Sequence, residues 1–487
     1  MSISALKAIT MVRPGIEVRG KVINANNIES IIIQQLGLTR RIIASLGALT
    51  SKVPLLNKLG IVEVGTNLRR FIKSIGENID VSGIKQKFIY DHSIVYDPDC
   101  KSEKILYDPA VDLGAVAVKR LLEQTKIHPK EIGELYVAST TFNSADPPLS
   151  DRIVAKLIRD GVLKKNDVEK SSNGNAGWAT KTIVEGCTGW IRLVETIEND
   201  MQLKQFQGRV NKYAIGLAIG ANSIHVKGNN PHELLAYGDG AAGGLFIPQK
   251  DNSGPFTIGP LRHLMSQADL VIHPFMETSN RSLKERIREY FSSNYIASRK
   301  VAKIIAENVP EYLDTVLKEN ELQIDELDLI IISQTSKGIL DKTVITLAEK
   351  FIERQNLALK PNIIREELKT IIENYYGNLE KEFEKKKKSI LCNYFLKTLE
   401  LNSQENKIYQ FLNSDEKKLF DFMMLLYSTV YRVYEKHGYT GVASIPMAIA
   451  QGVEDKVIEL DDPMIWLGSG VGIKVQSVLS RTGRNEN

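Results

Sequence analysis

The chain has 487 residues, of which 43% are hydrophobic and 25% charged, and its formal net charge is +4. This composition is typical of a soluble globular protein long enough for two domains with separate cores. The charge is too mild to argue for nucleic-acid binding.

The cysteines and the N-terminus bear on the cellular compartment. Three cysteines, Cys100, Cys187 and Cys392, are too sparse for a disulfide framework or a metal cluster, which favours a reducing compartment. The first residues carry no secretion pattern, and the apolar region 31–49 is interrupted by glutamines and arginines. We therefore predict a cytoplasmic protein without a membrane span and without a metal site.

The first elements in chain order are helical and then strand-like. Residues 36–64 have helical spacing with scattered lysine and arginine, and predict either a lid over a site or a packing helix pair. Residues 108–124 predict an amphipathic helix, and residues 135–139 predict a buried strand. A helix followed by a buried strand is the first sign of α/β architecture.

The most informative segment is Gly186-Cys187-Thr188-Gly189, named here the Cys187 frame. Strand-like residues precede it, and apolar residues continue after it at helical spacing, so we predict Cys187 at a strand-to-helix turn. A helix N-terminus would lower the pKa of the thiol from its ordinary value and so favour the reactive thiolate. A strand at 213–221 and a glycine-rich turn at 238–244 that feeds another strand follow.

The second half repeats this order. A helix at 301–317 and a strand at 329–333 lead to Gly438-Tyr439-Thr440-Gly441, named here the Tyr439 frame. A strand at 465–467 and a glycine-rich turn at 468–472 follow. A repeat half a chain long predicts two similar halves, 1–250 and 251–487, that bury a common core and bring the two frames together.

One stretch interrupts the repeat. Residues 353–427 are rich in glutamate and lysine with apolar residues at helical spacing, and they have no counterpart in the first half. This insertion is either a solvated helical hairpin or a docking surface for a carrier protein or a partner subunit.

Four motifs in order, Gly-Cys-Thr-Gly, Gly-Asp-Gly-Ala, Gly-Tyr-Thr-Gly-Val-Ala-Ser-Ile-Pro and Gly-Ser-Gly-Val-Gly, resemble the thiolase superfamily, most of all its β-ketoacyl-acyl-carrier-protein synthase III branch. The resemblance covers residues 80–350 and 430–481. It implies the five-layered αβαβα thiolase fold with two pseudo-repeated halves, and a homodimer. It also implies acyl transfer through a cysteine, with coenzyme A or acyl-carrier-protein thioesters as substrates and no resident cofactor.

The resemblance assigns roles residue by residue. Cys187 corresponds to the catalytic cysteine, whereas Ser333 stands at the position of the family's histidine and Tyr439 at that of its asparagine. The oxyanion hole falls on the main-chain N–H groups of Cys187 and Val471. Two further residues are assigned to substrate binding, Gln334 and Gly470.

A general base has to come from elsewhere in the chain. His437 lies two residues before Tyr439 and is either this base or a packing histidine. His232 and His273 are weaker candidates. Glu185, two residues before Cys187, serves either as a buried acid or base or in a structural salt bridge.

The resulting hypothesis is a synthase III-like acyltransferase of secondary metabolism that passes an acyl group from Cys187 to an acceptor. Carbon–carbon condensation is disfavoured, because the histidine and asparagine that stabilise the developing enolate are replaced. Two alternatives remain open. One is a catalytically degenerate subunit that pairs with an active synthase, and the other is a decarboxylative synthase that uses Tyr439 and Ser333 as substitute donors.

Overall fold

The computed structural model describes part of the chain: residues 4–24, 84–90, 108–141, 147–168, 177–208, 212–224, 236–249, 256–259, 262–263, 308–323, 326–334, 340, 343, 425, 429–460, 462–470 and 474–480. The predicted segment 36–64 lies outside these ranges, and so does the insertion 353–427 except for Leu425.

The described chain alternates strands and helices. The strands are β1 (Ser4–Val12), β2 (Gly20–Asn24), β3 (Gln86–Tyr90), β4 (Ile132–Ala138), β5 (Ala179–Ile183), β6 (Tyr213–Ala221), β7 (Asp239–Pro248), β8 (Phe256–Ile258), β9 (Arg262–His263), β10 (Leu329–Ile332), β11 (Met464–Gly470) and β12 (Lys474–Ser480). The helices are α1 (Pro109–Thr125), α2 (Leu149–Arg159), α3 (Lys165–Val168), α4 (Gly189–Phe206), α5 (308–319), α6 (Tyr434–His437) and α7 (Ser444–Glu454).

The chain divides into two compact units. The first comprises Met1–Ala302, Ile331–Lys337 and Arg432–Asn487, and the second comprises Lys303–Ile330 and Gly338–Tyr431. Every described residue of the candidate site lies in the first unit. The predicted halves 1–250 and 251–487 stay a prediction.

The first sheet has the order β1–β7–β6–β4–β5. Strand β4 runs parallel to β5 and β6, while β7 is antiparallel to both β1 and β6. The central strands are apolar over nearly their whole length because helices cover both faces of the sheet, as is usual in α/β proteins. Cys187 lies in the loop that follows the carboxyl end of β5.

Helices α1 and α2 pack on one face of this sheet. Asp108 caps the N-terminus of α1 by accepting a hydrogen bond from the Ala110 N–H at 3.0 Å. Its other oxygen pairs with Arg152 of α2 at 2.9 Å, and both side chains are buried. The pair therefore ties the two helices together within the apolar core.

The second sheet has the order β10–β11–β12–β8. Helix α4 contacts strands of both sheets, β4 and β6 on one side and β11 and β12 on the other, and α7 contacts β1, β7 and β11. In each half a loop frame leads into one of these central helices and then into an antiparallel strand pair, β6–β7 or β11–β12. The order expected from the sequence repeat is thus present.

The observed bounds agree with the predicted helix at 108–124 and the predicted strand at 213–221, whereas the strand predicted at 135–139 begins three residues earlier, at Ile132. The glycine-rich segments differ from the prediction. Asp239 to Gly244 lie within β7 and Gly468 to Gly470 within β11, so these segments are mainly strands and not turns. Their small residues let helix and loop atoms approach the sheets closely.

The described residues contain neither a candidate membrane span nor a candidate metal cluster. None of the helices among them is long and apolar enough to cross a membrane. The same residues hold no cluster of three or more histidine, cysteine or acidic side chains arranged to bind a metal ion.

Candidate active site

Cys187 lies in the turn that joins β5 to α4. Strand β5 ends at Ile183, and α4 begins at Gly189 with Thr188 as its N-cap. The Gly189 N–H donates to the Gly186 carbonyl at 2.7 Å and closes the turn. Cys187 thus lies immediately before the helix N-terminus, as the sequence predicts. It is buried, with 7% of its surface exposed.

Glu185 braces this turn. It accepts a hydrogen bond from Thr188 Oγ1 at 2.9 Å and pairs with Arg192 Nε at 3.5 Å. Because Thr188 is the N-cap and Arg192 lies one turn further along α4, the carboxylate fixes the helix start to the loop that carries the cysteine. The structural salt-bridge role of Glu185 is confirmed.

The Tyr439 frame reaches the same place from the other half of the chain. Its first and last residues are glycines in the left-handed region, Gly438 at φ +66° and Gly441 at φ +62°, which side-chain-bearing residues rarely adopt. The Tyr439 N–H donates to the Ala236 carbonyl at 2.8 Å, and the Gly238 N–H donates to the Tyr439 carbonyl at 3.0 Å. These bonds join the frame to the segment that precedes β7.

The two frames meet through their central side chains. The Tyr439 hydroxyl and Cys187 Sγ form a hydrogen bond. A β-carbon placed on Gly189 would lie 2.6 Å from Val442 Cγ2, and one placed on Gly468 would lie 3.0 Å from the Cys187 carbonyl oxygen. Glycine at position 189 therefore lets the Tyr439 frame approach the start of α4, and glycine at position 468 lets β11 approach the Cys187 main chain. The predicted meeting of the two frames is confirmed.

Burial governs the protonation of this pair. It raises the pKa of Cys187, although the hydrogen bond from Tyr439 and the cysteine's own main-chain N–H act in the opposite direction. The predicted low thiol pKa is therefore wrong, because desolvation outweighs both hydrogen bonds. Burial also raises the pKa of Tyr439 well above its ordinary value, and the charge of a Cys187 thiolate adds to this shift. The phenol consequently keeps its proton and donates when Cys187 is ionised.

Ring stacking holds the phenol in place. The rings of Tyr439 and Tyr237 lie 5.2 Å apart between centroids and are tilted by 35°. Sequence reasoning missed Tyr237, although it directly precedes the glycine-rich segment singled out at 238–244.

Ser333 and Gln334 follow the end of β10 and are both buried. Ser333 Oγ accepts a hydrogen bond from the Ser469 N–H at 3.3 Å. The Gln334 amide donates to the Ile332 carbonyl at 2.7 Å and accepts from the Val433 N–H at 2.9 Å. Their described contacts are thus with the main chain, and their roles toward a substrate stay predictions.

His437 lies behind the Tyr439 frame. Its Nε2 forms a hydrogen bond with Gln451 Oε1 at 2.9 Å, and its ring centroid lies 5.7 Å from that of Phe88. Burial lowers the pKa of His437 to about 4, so the imidazole is neutral at pH 7. These contacts do not bring it to the thiol, and a general-base role at Cys187 stays a prediction.

A buried lysine lies on the same side of the Tyr439 frame. Lys87 has its Cβ 3.2 Å from the position of a β-carbon on Gly438. Burial lowers the pKa of Lys87 to about 8, and attraction to Asp239 opposes this shift. Nothing in the sequence pattern had pointed to this residue.

The remaining predicted site residues lie at the end of a described range or outside the described residues. Gly470 is the last residue of β11 and pairs with Lys474, which leaves its predicted role at the substrate open. Val471, His232 and His273 lie outside the described residues, as do Cys100 and Cys392.

Comparison with known proteins agrees with this architecture. The family model for the C-terminal part of 3-oxoacyl-[acyl-carrier-protein] synthase III matches residues 417–482. The β-ketoacyl-[acyl-carrier-protein] synthase III of Lactococcus lactis is 24% identical over 259 residues, which are 50% of this chain and 68% of that protein.

Solved structures show the same fold. A 3-oxoacyl-(acyl-carrier protein) synthase from Burkholderia xenovorans matches with a TM-score of 0.57 and 13% identity over 98% of this chain and 93% of its own. An OleA variant from Xanthomonas campestris matches with a TM-score of 0.54 and 12% identity over 98% of both chains. The chain therefore has the thiolase fold and is synthase III-like, as the motifs predict, and the comparisons support a thiolase-type enzyme that transfers or condenses acyl groups.

Proposed function

We propose that this protein is a synthase III-like acyltransferase that carries the acyl group as a thioester on Cys187. The observation that supports this most is the hydrogen bond between the Tyr439 hydroxyl and Cys187 Sγ at the N-terminus of α4. A nucleophilic thiol needs a partner that stabilises its anion, and a protonated phenol at a helix N-terminus supplies one without an imidazole.

The reaction has two half-steps. In the first, the Cys187 thiolate attacks the carbonyl carbon of an acyl-coenzyme A or acyl-carrier-protein thioester, the acyl–sulfur bond of the donor breaks, and the donor leaves as a thiol after taking up a proton. In the second, an oxygen, nitrogen or sulfur nucleophile attacks the acyl-Cys187 carbonyl and loses its proton to a base, and the bond between the acyl carbon and the Cys187 sulfur breaks with its electron pair left on sulfur. The Cys187 thiolate then returns to its hydrogen bond with Tyr439.

The surroundings of Cys187 favour transfer over decarboxylative condensation. Condensation needs two donors directed at the thioester oxygen of a malonyl group as enolate charge develops, and each such donor contributes about 2.7–4 kcal/mol. Here Ser333 and Tyr439 replace the family's histidine and asparagine, and the Tyr439 hydroxyl is directed at the Cys187 sulfur. An acceptor that needs only deprotonation makes no demand on these two side chains.

We further propose a homodimer that forms through β5. This strand is at one edge of its sheet, and among the described residues no strand pairs with its outer side. The Ile183 carbonyl accepts from the Ser139 N–H on the β4 side, so alternation along the strand turns the peptide groups of Thr180 and Thr182 outward. Val184 follows at 67% exposure. An edge of this kind is suited to pairing with a second copy of the chain.

Acyl loading tests the proposed function. Purified protein is incubated with a series of acyl-coenzyme A and acyl-carrier-protein donors and its intact mass is measured, with Cys392→Ala as the matched control. We expect an adduct of acyl mass on the wild type and on the control, and none on Cys187→Ala. Absence of an adduct with every donor, or its persistence in Cys187→Ala, would refute the proposal.

The loaded protein then distinguishes the alternatives. Release of the acyl group to an oxygen, nitrogen or sulfur acceptor supports transfer, whereas carbon dioxide release from a malonyl donor indicates condensation. Obligatory co-purification with a complete synthase, without an adduct, indicates a degenerate subunit. The assignments to the cytoplasm and to secondary metabolism remain predictions from the sequence.

A further inference from the structure

The main chain of Tyr439 is held by a side chain that the reaction itself does not use. Asn222 follows the last residue of β6 and is 8% exposed. Its Nδ2 donates to the Gly238 carbonyl at 2.8 Å and to the Tyr439 carbonyl at 3.1 Å. One amide nitrogen thus joins the start of β7 to the middle of the Tyr439 frame, and both of its hydrogens are used.

Asn222 is itself anchored by the buried carboxylate of the Gly-Asp-Gly segment. Asp239 accepts hydrogen bonds from the Ser223 N–H at 2.8 Å and from the Ser223 hydroxyl, and from the Tyr90 N–H at 2.7 Å. Ser223 adjoins Asn222, so this carboxylate fixes the short turn that carries the amide. The acidic residue of the motif therefore has a structural task directly behind the site.

The fit around Asn222 leaves little freedom. A β-carbon on Gly441 would lie 3.3 Å from Asn222 Oδ1, which is closer than most such contacts. A β-carbon on Gly220, two residues before Asn222, would collide with the Thr440 carbonyl oxygen. The end of β6 and the Tyr439 frame are therefore in van der Waals contact on both sides of the amide bridge.

We propose that Asn222 is a positioning residue, whose amide holds the Tyr439 main chain at the distance from which the phenol reaches the Cys187 sulfur. This inference deepens the proposed function and rests on it for its meaning in catalysis. The geometry behind it is a chain of contacts from the Asp239 carboxylate through Ser223, Asn222 and Tyr439 to Cys187. Without the bridge, the Tyr439 carbonyl keeps only the Gly238 N–H as a donor, so the main chain that carries the phenol is held less firmly.

The test measures the thiol directly. The rate of iodoacetamide alkylation at Cys187 is followed against pH in the full-length protein, and the Cys187 peptide is quantified by mass spectrometry so that the other cysteines do not contribute. We expect Asn222→Ala to move the apparent pKa of Cys187 upward by about one unit, because the hydrogen bond from Tyr439 to the thiolate weakens. Asn222→Leu is close in size, uncharged and lacks the donor, so it should give the same shift and guards against a packing defect.

A double-substitution cycle separates positioning from general loosening of the fold. In a Tyr439→Phe background, Asn222→Ala should cause no further shift, because the group that it positions is gone. Asn320→Ala removes a hydrogen bond from a side-chain amide to the Val316 carbonyl within the second unit. This control should not shift the pKa of Cys187 in any background. An unchanged pKa in both Asn222 variants, or an equal additional shift in the Tyr439→Phe background, overturns the inference.

The outcomes for the two proposals are distinguishable. Alkylation requires no acyl donor, so a coupled shift together with failure of acyl loading would refute the proposed function and leave the positioning role standing. Normal loading with no coupling between Asn222 and Tyr439 would do the reverse.

Discussion

Replacing Tyr439 by phenylalanine removes one hydroxyl from the site and keeps the ring that packs on Tyr237. The lost interaction is a hydrogen bond to a thiolate, and hydrogen bonds to charged groups contribute about 1.5–3 kcal/mol. One pKa unit corresponds to about 1.36 kcal/mol, so the pKa of Cys187 should rise by about 1–2 units. At a pH below the pKa, each unit by which the pKa rises lowers the thiolate fraction about tenfold, so alkylation at pH 7 should slow by about 10–100-fold.

The measurement is the pH dependence of alkylation at Cys187, read from its peptide, in wild type, Tyr439→Phe and Tyr136→Phe. The last variant is the matched control, because Tyr136 lies in β4 and its hydroxyl bonds Asp200 at 2.7 Å, with no described contact to the cysteine. Its curve should coincide with that of the wild type. If the curve of Tyr439→Phe also coincides with it, or moves to lower pH, the phenol does not stabilise the thiolate and the reasoning fails.

Three further predictions concern the Cys187 thiol, the packing at Gly220 and the edge of β5. Acyl loading of the wild type should quicken as pH rises from 6 to 8, because burial raises the pKa of Cys187 and the thiolate fraction grows toward that pKa; a flat profile contradicts this. Gly220→Ala should lower the free energy of unfolding by about 1–3 kcal/mol in chemical denaturation, since its β-carbon would lie 1.9 Å from the Thr440 carbonyl oxygen. Gly133→Ala should cost less, because its β-carbon would lie 2.9 Å from Lys212 Cβ, a milder overlap. Thr180→Pro should yield monomers in size-exclusion chromatography with light scattering, because it removes an outward N–H of β5, while Thr180→Val should remain dimeric; a dimeric proline variant excludes this edge.

Local sequence patterns were sufficient for the elements that carry the site. Hydrophobic patterning located α1, β4 and β6, because α1 has one apolar face and the two strands are apolar over nearly their whole length. The glycine-rich segments were misassigned to turns. Glycine in these strands is required by the close approach of packed helices and loops, which has no local signature.

The electrostatics of the thiol could not be read from the sequence. The position of Cys187 before a helix N-terminus suggested a lowered pKa, whereas the structure gives a raised one. The helix position is a local property that follows from spacing. Desolvation depends on every element packed around the sulfur, and those elements come from distant parts of the chain.

The sequence by itself determined that two related halves each present a glycine-bounded loop ahead of a helix, and that one of the loops holds a cysteine. Only the tertiary structure decided that a tyrosine from the other half reaches that sulfur, and that Asn222 and Asp239 hold the tyrosine's backbone in place. The physical reason is that periodicity records which face of an element is buried. Hydrogen bonds between residues far apart in sequence depend instead on strand register and on the path of each loop, which are set only when the whole unit packs.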